Sequence, residues 1–334
     1  MQEKNSEQIK EFCRVLKKEP ERDFRILNLT DTQLSDAEWA EGRFESKLLC
    51  ETVTTLVEKT KPDLITISGD LAWAGHFESY RHLGRLIDSF DIPWAPVFGN
   101  HDNQGGEEKV KKAAEILTEG GKCLLVKGEE GLGWGNYVLG IEEEGRLIHG
   151  IILMDSHDRT PYTDENGNTT LGWGDVIPEQ LDWYSEKVES LKKFGANESS
   201  LILHIPLYAY REAANAAFKK GIDLKAVRPY NGMQKECFNK GYEESFGVCY
   251  EGIASYPADN GFFDIIKKHD HTKTVICGHD HINSFAIKYK GVNLIYSLKT
   301  GCGCYWDKRL NGATLLCVDS QGKMSAEHVF VKAE

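Results

Sequence analysis

"WAPVFGNHD", residues 94–102, runs from an apolar stretch into a glycine and then into three polar residues able to bind a metal or move a proton. A short apolar run closed by glycine reads as a buried strand rather than a helix. The layout recurs in "FRILNLTD" (24–31), "LITISGD" (64–70), "HGIILMDS" (149–156), "LILHIP" (201–206) and "TVICGHDH" (274–281), and two further β-rich runs follow at "VNLIYS" (292–297) and "ATLLCVD" (313–319). Between the first three runs lie amphipathic stretches, with Leu49, Val53, Leu56 and Val57 on one stripe and Leu83, Leu86, Ile87 and Phe90 on another. Strand–helix–strand order predicts an α/β fold with right-handed crossovers and largely parallel pairing. The last strands lack long helices between them and are expected to pair antiparallel.

In such sheets, ligands sit beyond the carboxyl ends of the strands. Those ends carry, in order, Asp31 and Gln33, then Asp70, then Asn100, His101 and Asp102, then His204, and finally His279 and His281. Each has an ordinary alternative. Asp31 or Asp70 alone is a turn or cap residue, His204 alone a satisfied core histidine, and Asn100 a turn former. Taken together, carboxylate, amide and imidazole at successive strand ends point to a metal site. Residues two apart on extended backbone face one side, so His279 and His281 are expected to reach the same site, with Asp280 directed elsewhere.

The chain has 334 residues and a formal charge of −12, from 40 basic and 52 acidic side chains. That balance argues against nucleic acid as a partner, because phosphate-backbone binding needs a basic stripe. The first twenty residues lack the basic-then-apolar layout of a signal peptide, and no apolar run reaches the roughly 20 residues of a membrane span. Nine scattered cysteines fit reduced thiols. A cytoplasmic protein with no membrane partner is the expectation. Residues 1–23 are expected to form an N-terminal helical segment, and 24–334 a single domain in which an irregular insertion, 205–260, covers the site.

"LTDTQ", "SGD", "GNHD", "LHIP" and "GHDH", in this order, resemble the five signatures of the calcineurin-like metallophosphoesterase family. The resemblance runs from about residue 24 to about 305. "WAPVFGNHDN", "ILMDS", "LGWGDVIPEQLDWY" and "GFFDIIKKH" are similar to the branch that includes purple acid phosphatases. This implies a four-layer αββα sandwich of two mixed sheets flanked by helices, with a dinuclear metal centre at the carboxyl ends of the strands. It implies that Asp70 bridges two cations (Mn, Fe, Zn or Co), that Asp31 and His281 complete one site, and that Asn100, His204 and His279 complete the other. Two divalent ions against two carboxylates leave a positive pocket that attracts a phosphate ester and lowers the pKa of a bridging water, whose hydroxide attacks phosphorus in line. Asn100, His101 and His204 would touch substrate. His101 would protonate the leaving group or steady the transition state, with Asp102 orienting it.

The implied activity is phosphoric ester hydrolysis, monoesters first and diesters as the alternative, on a phosphorylated small molecule or phosphoprotein. The rival is a binding module with a decayed centre. Its support is one departure: the first signature is usually Asp-x-His, and here it is Asp31-Thr32-Gln33. Trp73 also stands where purple acid phosphatases have a tyrosine. The first metal site has lost a strong donor, so it is expected to bind less tightly, with Gln33 ligating weakly or through water. Gly69 and Gly278 are expected to permit close backbone approach, and Asp155 to be structural. Trp173, Tyr208, Tyr305 and Trp306 are candidates for a pocket wall, and "GCGC" (301–304) for small-residue packing.

Overall fold

The computed structural model describes residues 12–333, apart from 130, 165, 175 and 227–236. In chain order its elements begin β1 (Arg14–Lys17), β2 (Phe24–Leu29), α1 (Phe44–Thr60), β3 (Leu64–Ser68), α2 (Phe77–Asp88), β4 (Trp94–Val97), α3 (Asn100–Asn103) and α4 (Glu107–Thr118). β5 (Tyr137–Glu143), β6 (Arg146–Leu153), β7 (Arg159–Thr163), β8 (Thr169–Trp173), α5 (Pro178–Phe194) and β9 (Glu198–Ile202) follow. The chain then forms α6 (Ala209–Ala217), α7 (Phe262–His269), β10 (Thr272–Cys277), β11 (Ala286–Tyr289), β12 (Val292–Tyr296), β13 (Gly312–Val318) and β14 (Met324–Phe330).

All eight runs read as strands are strands. One sheet has the order β14-β13-β2-β3-β4 and the other β1-β5-β6-β9-β10-β12-β11, with β7-β8 as a separate hairpin. β2, β3 and β4 are mutually parallel, as are β6, β9, β10 and β12. β13 joins β2 antiparallel and β11 joins β12 antiparallel, but the antiparallel pairing expected among the last strands fails: β12 pairs parallel with β10 because β11 intervenes, and β13 crosses to the other sheet.

Alternation along the larger sheet builds the layers. Leu139, Ile141, Ile151, Leu153, Ile202, Ile276 and Ile295 pack in one cluster with the residues of the smaller sheet. Their neighbours Val138, Ile152, Leu201, Leu203, Val275, Cys277 and Tyr296 pack in a second cluster with Trp183, Tyr184, Val188 and Leu191 of α5 and Tyr210 of α6. A period of two therefore splits the sheet between its partner sheet and its helices. The smaller sheet's helices contribute Leu49, Val53 and Leu56 from α1 and Leu83 and Ile87 from α2 to the first cluster. The result is a four-layer αββα sandwich of two mixed sheets, in which each fully buried aliphatic side chain stabilises the fold by about 1.5–3 kcal/mol.

The expected helix over 1–23 needs correction. Residues 1–11 lie outside the described residues, and 12–23 contain β1, which pairs parallel with β5. Leu16 packs on the first cluster and Lys18 forms a buried ion pair with Glu143 at 2.6 Å, so edge pairing overrides helix formation. The 205–260 insertion is not irregular throughout, since α6 occupies its start; its residues 227–236 lie outside the described residues. Among the described residues, no helix is long and apolar enough to cross a membrane.

Candidate metal centre

The residues that follow β2, β3, β4, β9 and β10 converge. Asp31 and Asp70 follow β2 and β3 by two residues and take left-handed backbone, with φ of 53° and 51°. Non-glycine residues rarely adopt this region, and its strain commonly gathers at functional sites. His279, after β10, is a third, with φ of 79°. Glycines give the room. A Cβ on Gly69 (φ 91°) would lie 2.5 Å from the His204 ring, one on Gly99 would strike the Asp70 carboxylate, and one on Gly278 would strike Thr30 Oγ1 and Asp31 Oδ2. The close approach read for Gly69 and Gly278 is present, and Gly99 shares it.

Asp31, Asp70 and His204, all buried, bring ligand atoms within 4.8 Å of one another. His204 Nε2 stands 3.3 Å from Asp70 Oδ1 and 3.1 Å from Asn100 Oδ1. His281 Nε2 stands 3.2 Å from Asp31 Oδ1. Ligands at roughly 2.0–2.2 Å from a cation stand about 3.0–3.5 Å apart from each other, so these spacings suit shared coordination. The ring orientations suit it too. His204 Nδ1 donates to the Ser68 carbonyl at 2.8 Å and His281 Nδ1 to the Tyr305 carbonyl at 2.7 Å, which turns both Nε2 atoms toward the carboxylates as the atoms a cation would take in place of a proton. His279 Nε2 is buried with no hydrogen-bond partner among the described residues, while its ring is wedged between Trp173 at 4.4 Å and His204 at 5.1 Å. A buried imidazole nitrogen without a partner calls for an explanation, and a cation supplies one. Asp70, Asn100, His204 and His279 fit a mixed nitrogen–oxygen metal site.

Electrostatics follow the same geometry. Burial would raise the Asp31 carboxyl, but the facing His281 imidazole, with His204 and Lys299 behind it, holds it below the usual carboxylate range. Asp70 is likewise held down against burial by His204. Burial would lower His204, yet the Asp70 carboxylate pushes it up to about 9. His279 has no such partner, and burial pulls it down to about 3. A neutral imidazole is the ligating form.

A model of the family described as calcineurin-like phosphoesterase matches residues 24–283. The chain belongs to that family. Among relatives of this calcineurin-like phosphoesterase, probable inactive purple acid phosphatase 14 of Arabidopsis thaliana is 26% identical over 327 residues, covering 86% of this chain and 74% of the relative. Probable inactive purple acid phosphatase 29 of the same plant is 24% identical, covering 84% and 70%. Among solved structures, a dimetal phosphatase from Danio rerio superposes with a TM-score of 0.57 over 92% of this chain and 96% of that one, at 12% identity; this likeness concerns the fold alone. The family generally uses two divalent metal ions and acts on phosphorylated substrates.

Within this calcineurin-like site, three expectations change. Asp102 does not orient His101. Its oxygens accept from the backbone N–H of Gly99, Leu71 and Ala72 and from the Tyr80 hydroxyl, at 2.7–3.2 Å. It clasps the β3 and β4 loops together, because successive residues on a helical turn point about 100° apart. His101 Nδ1 instead meets Gln104 Oε1 at 3.1 Å, and its ring lies 4.2 Å from Trp73. Second, "GHDH" is a turn, with Asp280 N–H bonded to the Gly278 carbonyl, rather than extended strand. His279 takes left-handed backbone; its ring lies against Trp173 and His204 while His281 Nε2 faces Asp31 Oδ1, and Asp280 does turn away, to the Tyr296 hydroxyl and Ala254 N–H. Third, Gln33 is buried beside the carboxylates, but its Nε2 faces Asp70 Oδ2 and His281 Nε2, each at 3.4 Å.

Asp155 is structural, accepting from Asn103 Nδ2 and His157 N–H, both at 2.9 Å. Trp173 walls His279, and Tyr305 stacks on His281 at 4.2 Å. A Cβ on Gly303 would strike the Gln33 carbonyl, so "GCGC" is small-residue packing. Glu251, in the 205–260 insertion, accepts from the Tyr305 hydroxyl and from Ile282 N–H and buttresses the His281 turn.

One residue escaped the sequence reading. Lys299, just past β12, is 2% exposed, and its Nζ donates to the Asp31 carbonyl at 2.6 Å and to Gln33 Oε1 at 3.5 Å. The signal was present, since Lys299 follows a strand end like the other site residues, but lysine is not a metal ligand type and drew no notice.

Proposed function

We propose that this chain is a metal-dependent phosphomonoesterase whose cations are held by Asp31, Asp70, Asn100, His204, His279 and His281. The observation that carries the reading is the buried, partnerless His279 Nε2 on a ring packed 5.1 Å from that of His204, whose own Nε2 stands 3.3 Å from Asp70 Oδ1 and 3.1 Å from Asn100 Oδ1. When bound, such cations supply Lewis acidity toward phosphoryl oxygens and a water acidified toward neutral pH; Mn, Fe, Zn and Co all suit these donors. The remaining work falls to the protein. Asn100 and His204 line the phosphoryl position. His101, half-buried, holds its Nδ1 on Gln104, and its Nε2 is the atom placed to deliver a proton to the leaving oxygen. An open cleft of about 400 Å³ beside it, lined by Ser35, Trp73, Ala74, His76, Gln104 and Lys109, receives the leaving group, and Lys109 suits an anionic one.

The two Arabidopsis relatives carry "inactive" in their names, which favours a second reading, a phosphate-binding module. Asn100 and His204 in ligating geometry, with His101 Nε2 3.9 Å from Asp70 Oδ2, support catalysis instead. Nine free cysteines support a reducing compartment such as the cytoplasm. Turnover of p-nitrophenyl phosphate and of its bis ester, with Mn, Fe, Zn or Co supplied, separates the readings. Metal-dependent monoester turnover lost in His101→Ala is the expected result. Faster bis-ester turnover would make the chain a phosphodiesterase, and no turnover by folded, metal-loaded protein would make it a module.

A further inference from the structure

We propose that Lys299 and Gln33 together make the Asp31–His281 position the weak half of the centre, so that one cation is held tightly and the other only when metal is in excess. This rests on the metal-centre reading above and goes beyond it by assigning Lys299 a role. A lysine is rarely buried without a partner or task. Here the fully buried Nζ lies against the backbone of one carboxylate ligand and the amide oxygen of Gln33.

The contacts around Gln33 fix which way its amide points. Its Nε2 faces the Asp70 carboxylate, which can only accept, at 3.4 Å. Its Oε1 faces the lysine donor. Turning the amide over would set oxygen against the Asp70 carboxylate and NH₂ against Nζ, losing both contacts at once. Gln33 thus offers the metal position an N–H, which cannot ligate a cation. The Asp31 side keeps Asp31, His281 and a share of Asp70, against Asp70, Asn100, His204 and His279 on the other. The lysine's positive charge beside Asp31 further opposes a second cation there.

The test is metal analysis of the full chain after Mn loading and dialysis, with calorimetric Mn titration. Wild type should retain one equivalent and bind a second at least about tenfold more weakly. Gln33→His and Lys299→Met should each strengthen the second equivalent, whereas Lys299→Arg, which keeps a donor, should not. Two equivalents of equal affinity in wild type would overturn the proposal. So would a folded Lys299→Met with unchanged titration; if that variant does not fold, an unchanged Gln33→His decides against it. Stoichiometry is read without substrate. One tight equivalent without turnover therefore overturns the hydrolase reading alone, and two equal equivalents with turnover overturn this proposal alone.

Discussion

Gly278→Ala isolates the close packing on which the centre depends. Gly278 has no positive φ, so the substitution adds a methyl group without backbone penalty. That methyl group would drive into Thr30 Oγ1 and Asp31 Oδ2, which are themselves joined by a 2.8 Å hydrogen bond. Both side chains are buried, so neither atom can swing away into solvent. Overpacking of this kind costs about 1–3 kcal/mol. With an unfolding entropy near 2.1 cal/mol/K per residue, a chain of 334 residues loses roughly 1.5–4 °C of melting temperature. Displacing the Asp31 carboxylate should also lower the affinity of the metal position it shares with His281 by about tenfold or more. The control is Gly252→Ala, where an added Cβ meets nothing within 4 Å and stability should move by less than about 0.5 kcal/mol. Differential scanning fluorimetry with and without Mn, beside a Mn titration, reads both effects. Equal melting temperatures and equal metal affinity for Gly278→Ala and Gly252→Ala would refute the argument that strand-end glycines set the ligand geometry.

Further outcomes follow from named contacts. Asp102→Asn removes acceptor capacity from a carboxylate with four donors and should cost about 2–4 kcal/mol in thermal or denaturant unfolding, while leaving the pH dependence of turnover in place. Gln104→Ala should do the opposite, shifting that pH profile with little change in stability, because Gln104 is the group bonded to His101 Nδ1. His149, bonded to the Gly322 carbonyl and Ser200 Oγ, is pulled down to about 4 by burial. The native state keeps it neutral and the unfolded chain protonates it near 6.5, so its stabilisation is complete above that pH and is lost as pH falls toward 4. Urea titrations should show this as up to about 1.4 kcal/mol per pH unit, diminished in His149→Gln.

The sequence made the parallel core legible because its strands are continuous apolar runs closed by ligand residues. It concealed the interior strand β5 and the edge strands β1, β11 and β14: the ends of Arg14–Lys17 are exposed, and Met324–Phe330 alternates polar and half-buried residues. The hairpin β7–β8 was hidden by Pro161 and by its exposure, yet it delivers Trp173 to His279 and Arg159 onto Trp173 at 3.7 Å. Ligand types at strand ends were readable one by one. Directions were not: adjacency in sequence suggested that Asp102 serves His101, whereas the helical turn aims it at the backbone of Leu71, Ala72 and Gly99. Lys299 was invisible because its role depends on the amide orientation of a residue 266 positions away.

The most direct test is anomalous diffraction from crystals of the full chain grown with Mn. A peak enclosed by Asp70, Asn100, His204 and His279 Nε2, and absent in His204→Ala crystals, is the predicted result. Ordered Mn elsewhere in the molecule, with none at His279 Nε2, would contradict the account.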